Sequence, residues 1–153
     1  GLNFIGDVKK GEVNLHSDYF NSLLQVNPKV KNYVRVGEII ALQIKILKVH
    51  KKTFELVRQD DLFHGDELDY IEKAFERLID NCNGTLDQLL TVSTDAKLEM
   101  TDDQRIERID GLYKTMMEDY SFCEHLSEEI KILSLSKAKE KKDARESQIL
   151  NGL

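Results

Sequence analysis

The chain of 153 residues reads as all-α: an elongated antiparallel three-helix bundle with a short N-terminal helix and arm and a charged C-terminal helical segment. Three observations predict this. One proline, no tryptophan and 33% charged residues suit long amphipathic helices better than a loop-rich fold. Apolar residues recur in steps of three and four over three long stretches. Cap and turn residues separate those stretches. The length suits a single domain with a real core.

Residues 1–26 open the chain as an arm. Leu2, Phe4, Ile5, Val8, Val13 and Leu15 are scattered without a period, and Ser17-Asp18 can cap a short helix carrying Tyr19, Phe20, Leu23 and Leu24. Asn27-Pro28 ends it, and proline suits the first position of the next helix.

The first long helix is expected over 28–59, with Val30, Tyr33, Ile40, Ile44, Leu47 and Phe54 as its stripe. Gly37 fills a slot where a bulkier residue is expected, which points to close approach of a neighbouring helix. Leu42, Ile44 and Ile46 alternate with polar residues, a rival strand pattern. Helix is preferred because no turn residue interrupts Glu38 to Asp60.

His64-Gly65-Asp66 is the next break, with Gly65 left-handed, Asp66 as N-cap and Phe63 stapled near Tyr70. The second helix, 67–94, has Ile71, Phe75, Leu78, Cys82, Leu86 and Leu89 as its seam. Asn83-Gly84 inside it is a weak point or kink. After the break from Ser93 to Met100, Thr101-Asp102-Asp103-Gln104 forms a capping box. Ile106, Ile109, Tyr113, Met116, Tyr120, Cys123 and Leu126 line one face of the third helix, 102–133.

Ser134-Leu135-Ser136 then loosens the pattern, leaving 134–153 as a separate segment. Within it Lys137, Lys139, Lys141, Lys142 and Arg145 lack an apolar face, so they are solvated or contact a partner. Helices of about 30 residues reach about 45 Å. Joined by short breaks, they run up, down and up.

The net charge of −6 argues against a dedicated DNA-binding domain. Charge is uneven, however. Lys29 to Arg58 holds eight Lys/Arg against two Asp/Glu, and Asp60 to Asp103 holds thirteen Asp/Glu against three Lys/Arg. The expectation is that the basic helix lies against the acidic one and much of the field is neutralised internally. Lys45, Lys48, Lys51, Lys52 and Arg58 remain the candidate surface for nucleic acid or anionic lipid, with no aromatic platform interleaved on an exposed face.

No catalytic, cofactor or metal motif emerges. His16, His50, His64 and His125 have no ligand spacing, and His50 and His125 read as polar-face residues. Asp66, Glu67 and Asp69 lack the twelve-residue calcium loop and read as helix-start carboxylates. Met116 and Met117, with Tyr113 and Tyr120, read as core. Cys82 and Cys123 fall on apolar faces and read as buried free thiols. The expected protein is not an enzyme and uses no cofactor or small-molecule substrate.

Four stretches carry a resemblance through their order. They are Asn27 to Tyr33; Phe63 with Asp66-Glu67-Leu68-Asp69-Tyr70; Leu98-Glu99-Met100-Thr101-Asp102 with Arg105; and Lys137-Ala138-Lys139-Glu140-Lys141. Together they resemble the conjugal transfer proteins of Bacteroides-type conjugative transposons, the TraI/TrbJ-like group, which is similar to the minor-pilin component of type IV secretion systems. The resemblance implies a helical, non-enzymatic component of a conjugative transfer apparatus, periplasmic or secreted after removal of a signal peptide. Its partners would be other proteins of the apparatus, or further copies of itself. The alternative is a cytoplasmic helical adaptor or secretion chaperone that docks partners through residues 1–26 and the C-terminal end.

Overall fold

The computed structural model describes residues 33–94 and 99–152. The arm and short helix expected over 1–26, the stretch through Pro28 and the centre of the Ser93–Met100 break lie outside the described residues. Three helices make up the rest: α1 (Val34–Arg58), α2 (Gly65–Thr94) and α3 (Asp102–Leu150).

The predicted direction of the helices holds. From α1 to α3, Tyr33 hydrogen-bonds Asp110, the Cys123 thiol reaches the Ile46 carbonyl, and the Thr53 and Ser127 hydroxyls meet at 2.9 Å. Numbering rises together on both sides, so α1 and α3 are parallel. From α2 to α3, Arg105 donates to the Val92 carbonyl, Cys82 meets Asp119, and Glu67 pairs with Lys137. Numbering there runs in opposite senses, so α2 is antiparallel to both.

One continuous core runs along the seams. The predicted α2 seam, from Ile71 to Leu89, is buried throughout. In α3, Ile109, Met116, Cys123 and Leu126 are buried, whereas Ile106, Tyr113 and Tyr120 sit at its margin. The α1 stripe is wider than periodicity suggested, because Val36, Ile39, Leu42, Ile46 and Val57 are also buried. The strand alternative at Leu42–Ile46 gives way to unbroken helix. The buried residues of α1 fill an arc of just under half its circumference. Gln43 turns inward within it and Ile44 is half-buried at its edge, so a polar residue in the core and an apolar one at the margin mimic alternation.

Several boundaries differ from expectation. α1 begins at Val34, not Pro28, because Tyr33 is extended (φ −69°, ψ 120°) and no side chain caps the helix. It ends at Arg58, where Asp60 and Asp61 turn left-handed at φ 58° and 52°. Gly65 is left-handed as expected, at φ 55°, but Asp66 lies within the first turn of α2 rather than capping it. Phe63 is buried in the core, while Tyr70 is 67% exposed and turned away from it. Gly37 is exposed with nothing within 4 Å of where a Cβ would lie, so no described helix approaches it.

α2 runs unbroken through Asn83-Gly84. Asn83 is buried, and its Oδ1 accepts from Gln43 Nε2 of α1 at 3.3 Å. The largest correction is at Ser134-Leu135-Ser136, where α3 continues as one helix to Leu150. No glycine or proline occurs from Leu112 to Asn151. Ser134 is buried one turn beyond Ile130, so a small polar residue carries the inward stripe on. With 49 residues, α3 is about 74 Å long. Its start matches the sequence: Thr101 Oγ1 accepts from the Gln104 amide at 3.1 Å, and Gln104 Oε1 accepts from the Thr101 amide at 2.9 Å.

Candidate functional site

The last third of α3 is the surface singled out by the sequence. Its inward edge is held by the connection between α1 and α2. Lys137 Nζ lies 2.6 Å from Glu67 and 5.5 Å from the centre of the Phe63 ring, its stem covering apolar surface. Lys141 Nζ donates to the Asp60 carbonyl at 2.9 Å. The left-handed turn at Asp60 and Asp61 is thus read by a lysine of α3. Two of the five expected partner contacts, Lys137 and Lys141, are therefore engaged within the chain. Lys139, Lys142 and Arg145 are exposed and form no ion pair among the described residues. Lys142 and Arg145 border a shallow groove of about 420 Å³ with Leu62 and Ile149.

A second groove, of about 540 Å³, runs between α2 and α3. Tyr70, Lys73 and Arg77 form its α2 wall, and Glu118, Asp119 and Phe122 its α3 wall. Tyr70 and Phe122 are 67% and 51% exposed. Beneath it, the Cys82 thiol approaches Asp119 Oδ2 at 3.8 Å. Burial raises both the Cys82 thiol and the Asp119 carboxyl above their ordinary values; the thiol contact opposes the rise at Asp119. A neutral, donating thiol in this place stabilises a carboxylate and is a poor nucleophile. No sequence motif marks this groove. The usable signal was Tyr70, Lys73 and Arg77 at steps of three and four on the side of α2 opposite its seam.

The remaining candidates resolve individually. Both cysteines are free and buried, and burial lifts Cys123 to about 12. His125 is exposed as expected, but His50 is not a polar-face residue. Its ring lies 4.7 Å from Phe54 and 5.1 Å from Phe75, and burial, with Arg58 nearby, lowers its pKa. Met116 is core, whereas Met117 is 40% exposed. No metal-holding cluster occurs among the described residues.

Internal neutralisation of the basic helix is not observed. Lys45, Lys48, Lys51 and Lys52 are exposed, and among the described residues no ion pair joins α1 to α2. The apolar stripes turn inward and carry the charged faces away from each other. Among the described residues, no helix is long and apolar enough to cross a membrane. Comparisons with protein-family models, curated proteins and solved structures returned no match.

Proposed function

We propose that this chain is a non-enzymatic structural component of a conjugative DNA-transfer apparatus, acting on other proteins through its helical surfaces. The observation that carries the surface-acting reading is the outward side of α3. Ile132, Leu135 and Leu150 are 63%, 72% and 86% exposed along a helix that outruns its described neighbours. Apolar side chains spread along an uncovered helix suit docking against another helix. The assignment to conjugation, and to the periplasm, rests on the ordered motifs alone. Of these, Asp66–Tyr70 opens α2, Thr101-Asp102 caps α3, and Lys137–Lys141 binds the α1–α2 turn.

The test is export. The full gene, fused to a reporter that is active only outside the cytoplasm, is expected to give active reporter. A fusion held wholly in the cytoplasm overturns the conjugation reading and leaves the cytoplasmic adaptor.

A further inference from the structure

We infer that the outer face of the α3 tail docks into the α2–α3 groove of a second copy of this chain, building staggered head-to-tail assemblies. The inference extends the surface-acting reading but does not depend on the conjugation role or the compartment.

It starts from two faces. On α3, the residues opposite the buried stripe are Ile132, Ser136, Lys139, Asp143, Glu146 and Leu150, in steps of three and four, and all are exposed. On α2, the residues opposite its seam are Tyr70, Lys73, Arg77 and Asp80, also exposed, and the first three form one wall of the 540 Å³ groove. None of Lys73, Arg77, Asp80, Lys139, Asp143 and Glu146 has an ion-pair partner among the described residues.

The two faces complement each other in one antiparallel register. Leu150 comes to the exposed Tyr70 ring. Glu146 then faces Lys73, Asp143 faces Arg77, and Lys139 faces Asp80. Charge changes sign along each face, and each change is answered on the other. Sliding the tail one turn toward the C-terminal end of α2 keeps Glu146 opposite Arg77 but sets Asp143 beside Asp80 and leaves Lys139 without a partner, so three pairs fall to one pair and one repulsion. The groove leaves room for the incoming side chains, and Phe122 on its far wall falls level with the Lys139 stem. Within one molecule this pairing cannot form. There α3 already lies along α2 with its inward face, and the outer residues of the tail point away from the groove.

The geometry fixes the type of assembly. The tail of the second copy runs antiparallel to α2, and hence parallel to α3 of the first. Asp80 sits level with about Ser121 of its own α3, judging by the Cys82–Asp119 contact. Placing Lys139 of the neighbour there shifts the second copy along the axis by about eighteen residues, or about 27 Å. The donor and acceptor surfaces differ, so the contact is heterologous and each added copy leaves one of each open. Three solvent-exposed charge pairs flanked by few apolar contacts make a weak, salt-sensitive interface.

Sedimentation velocity of the full chain, across protein concentration and at low and high salt, tests this. Species beyond the dimer are expected at low salt and should dissociate as salt rises. The variants Lys73→Glu/Arg77→Glu and Asp143→Arg/Glu146→Lys alter exposed positions, so helical circular dichroism should be unchanged. Each alone places like charges together and is expected to weaken association about tenfold or more. Mixing the two restores it, since each tail then meets a complementary groove. A strictly monomeric wild type at low salt overturns the inference. So does a closed dimer, or association that survives either reversal. Failure of the mixture to recover also overturns it.

Discussion

Gln43 and Asn83 show how a single buried pair sets the register of two helices. Both side chains are fully enclosed, and they share one hydrogen bond between α1 and α2. Gln43 Oε1 and Asn83 Nδ2 have no hydrogen-bond partner among the described residues. A primary amide carries two donor hydrogens and an acceptor, so one shared bond leaves most of each group unanswered. The pair contributes specificity to the match of α1 with α2 at some expense of stability. Replacing Gln43 by Met alone, with similar volume, strands the whole Asn83 amide and should destabilise the fold by about 1–3 kcal/mol. Asn83→Leu alone should act in the same direction. The double variant removes both polar groups and is expected to be near wild type or more stable. Denaturant unfolding of the four proteins gives the coupling directly, and purely additive losses would refute it. Thr53 and Ser127 form a contrasting pair. Thr53 donates to the Val49 carbonyl at 2.7 Å, so Ser127 must donate to Thr53, and the bond between α1 and α3 is one of a satisfied chain.

At the level of the element, helix continuity is decided more by which residues are missing than by local polarity. Gly37 is an exposed mid-helix glycine with open space where a side chain would go. Gly37→Ala should therefore stabilise by about 0.5–1 kcal/mol, through lower backbone entropy in the unfolded chain. Gly65, at φ 55°, should respond in the opposite sense, since a Cβ there is strained by about 1–2 kcal/mol whatever the space. Thermal unfolding of the two alanine variants should move the midpoint in opposite directions; a shared direction would contradict the turn geometry. The sequence made the elements legible where pattern and punctuation agreed. The α2 seam and the capping box of α3 emerged residue for residue. Legibility failed where a polar residue sits in the core. Asn83 and Ser134 read as interruptions because each breaks an apolar run, yet both are inward-facing and their helices pass through them. The charge of the α3 tail is plain in the sequence. That Lys137 and Lys141 are spent on the chain's own turn required the position of Asp60, which depends on two left-handed aspartates with no sequence signature. The α2–α3 groove was hidden because it exists only once the two helices are in register.

For the whole molecule, one core shared by three helices implies that its buried groups are released together. Cys82 on α2 and Cys123 on α3 are both at 0% exposure at the middle of the rod. Burial raises both thiols, Cys123 to about 12, so near neutral pH the native protein holds almost no thiolate at either position. The thiolate is the reactive form. A thiol reagent must therefore wait for the bundle to open, and in the opened chain each cysteine regains an ordinary pKa near about 8.5. Three consequences can be measured together by mass spectrometry after timed labelling. Both cysteines should label at closely similar rates, because the same opening exposes each. The rates should rise with denaturant along the slope of global unfolding. They should also climb about tenfold per pH unit below the opened-state value and flatten above it, since the titrating species is the unfolded thiol rather than the native one. Labelling of Cys123 that stays slow while Cys82 reacts freely would mean that α2 detaches by itself, leaving α1 and α3 paired, and the single-core description would then give way to a stable two-helix unit with a separable third.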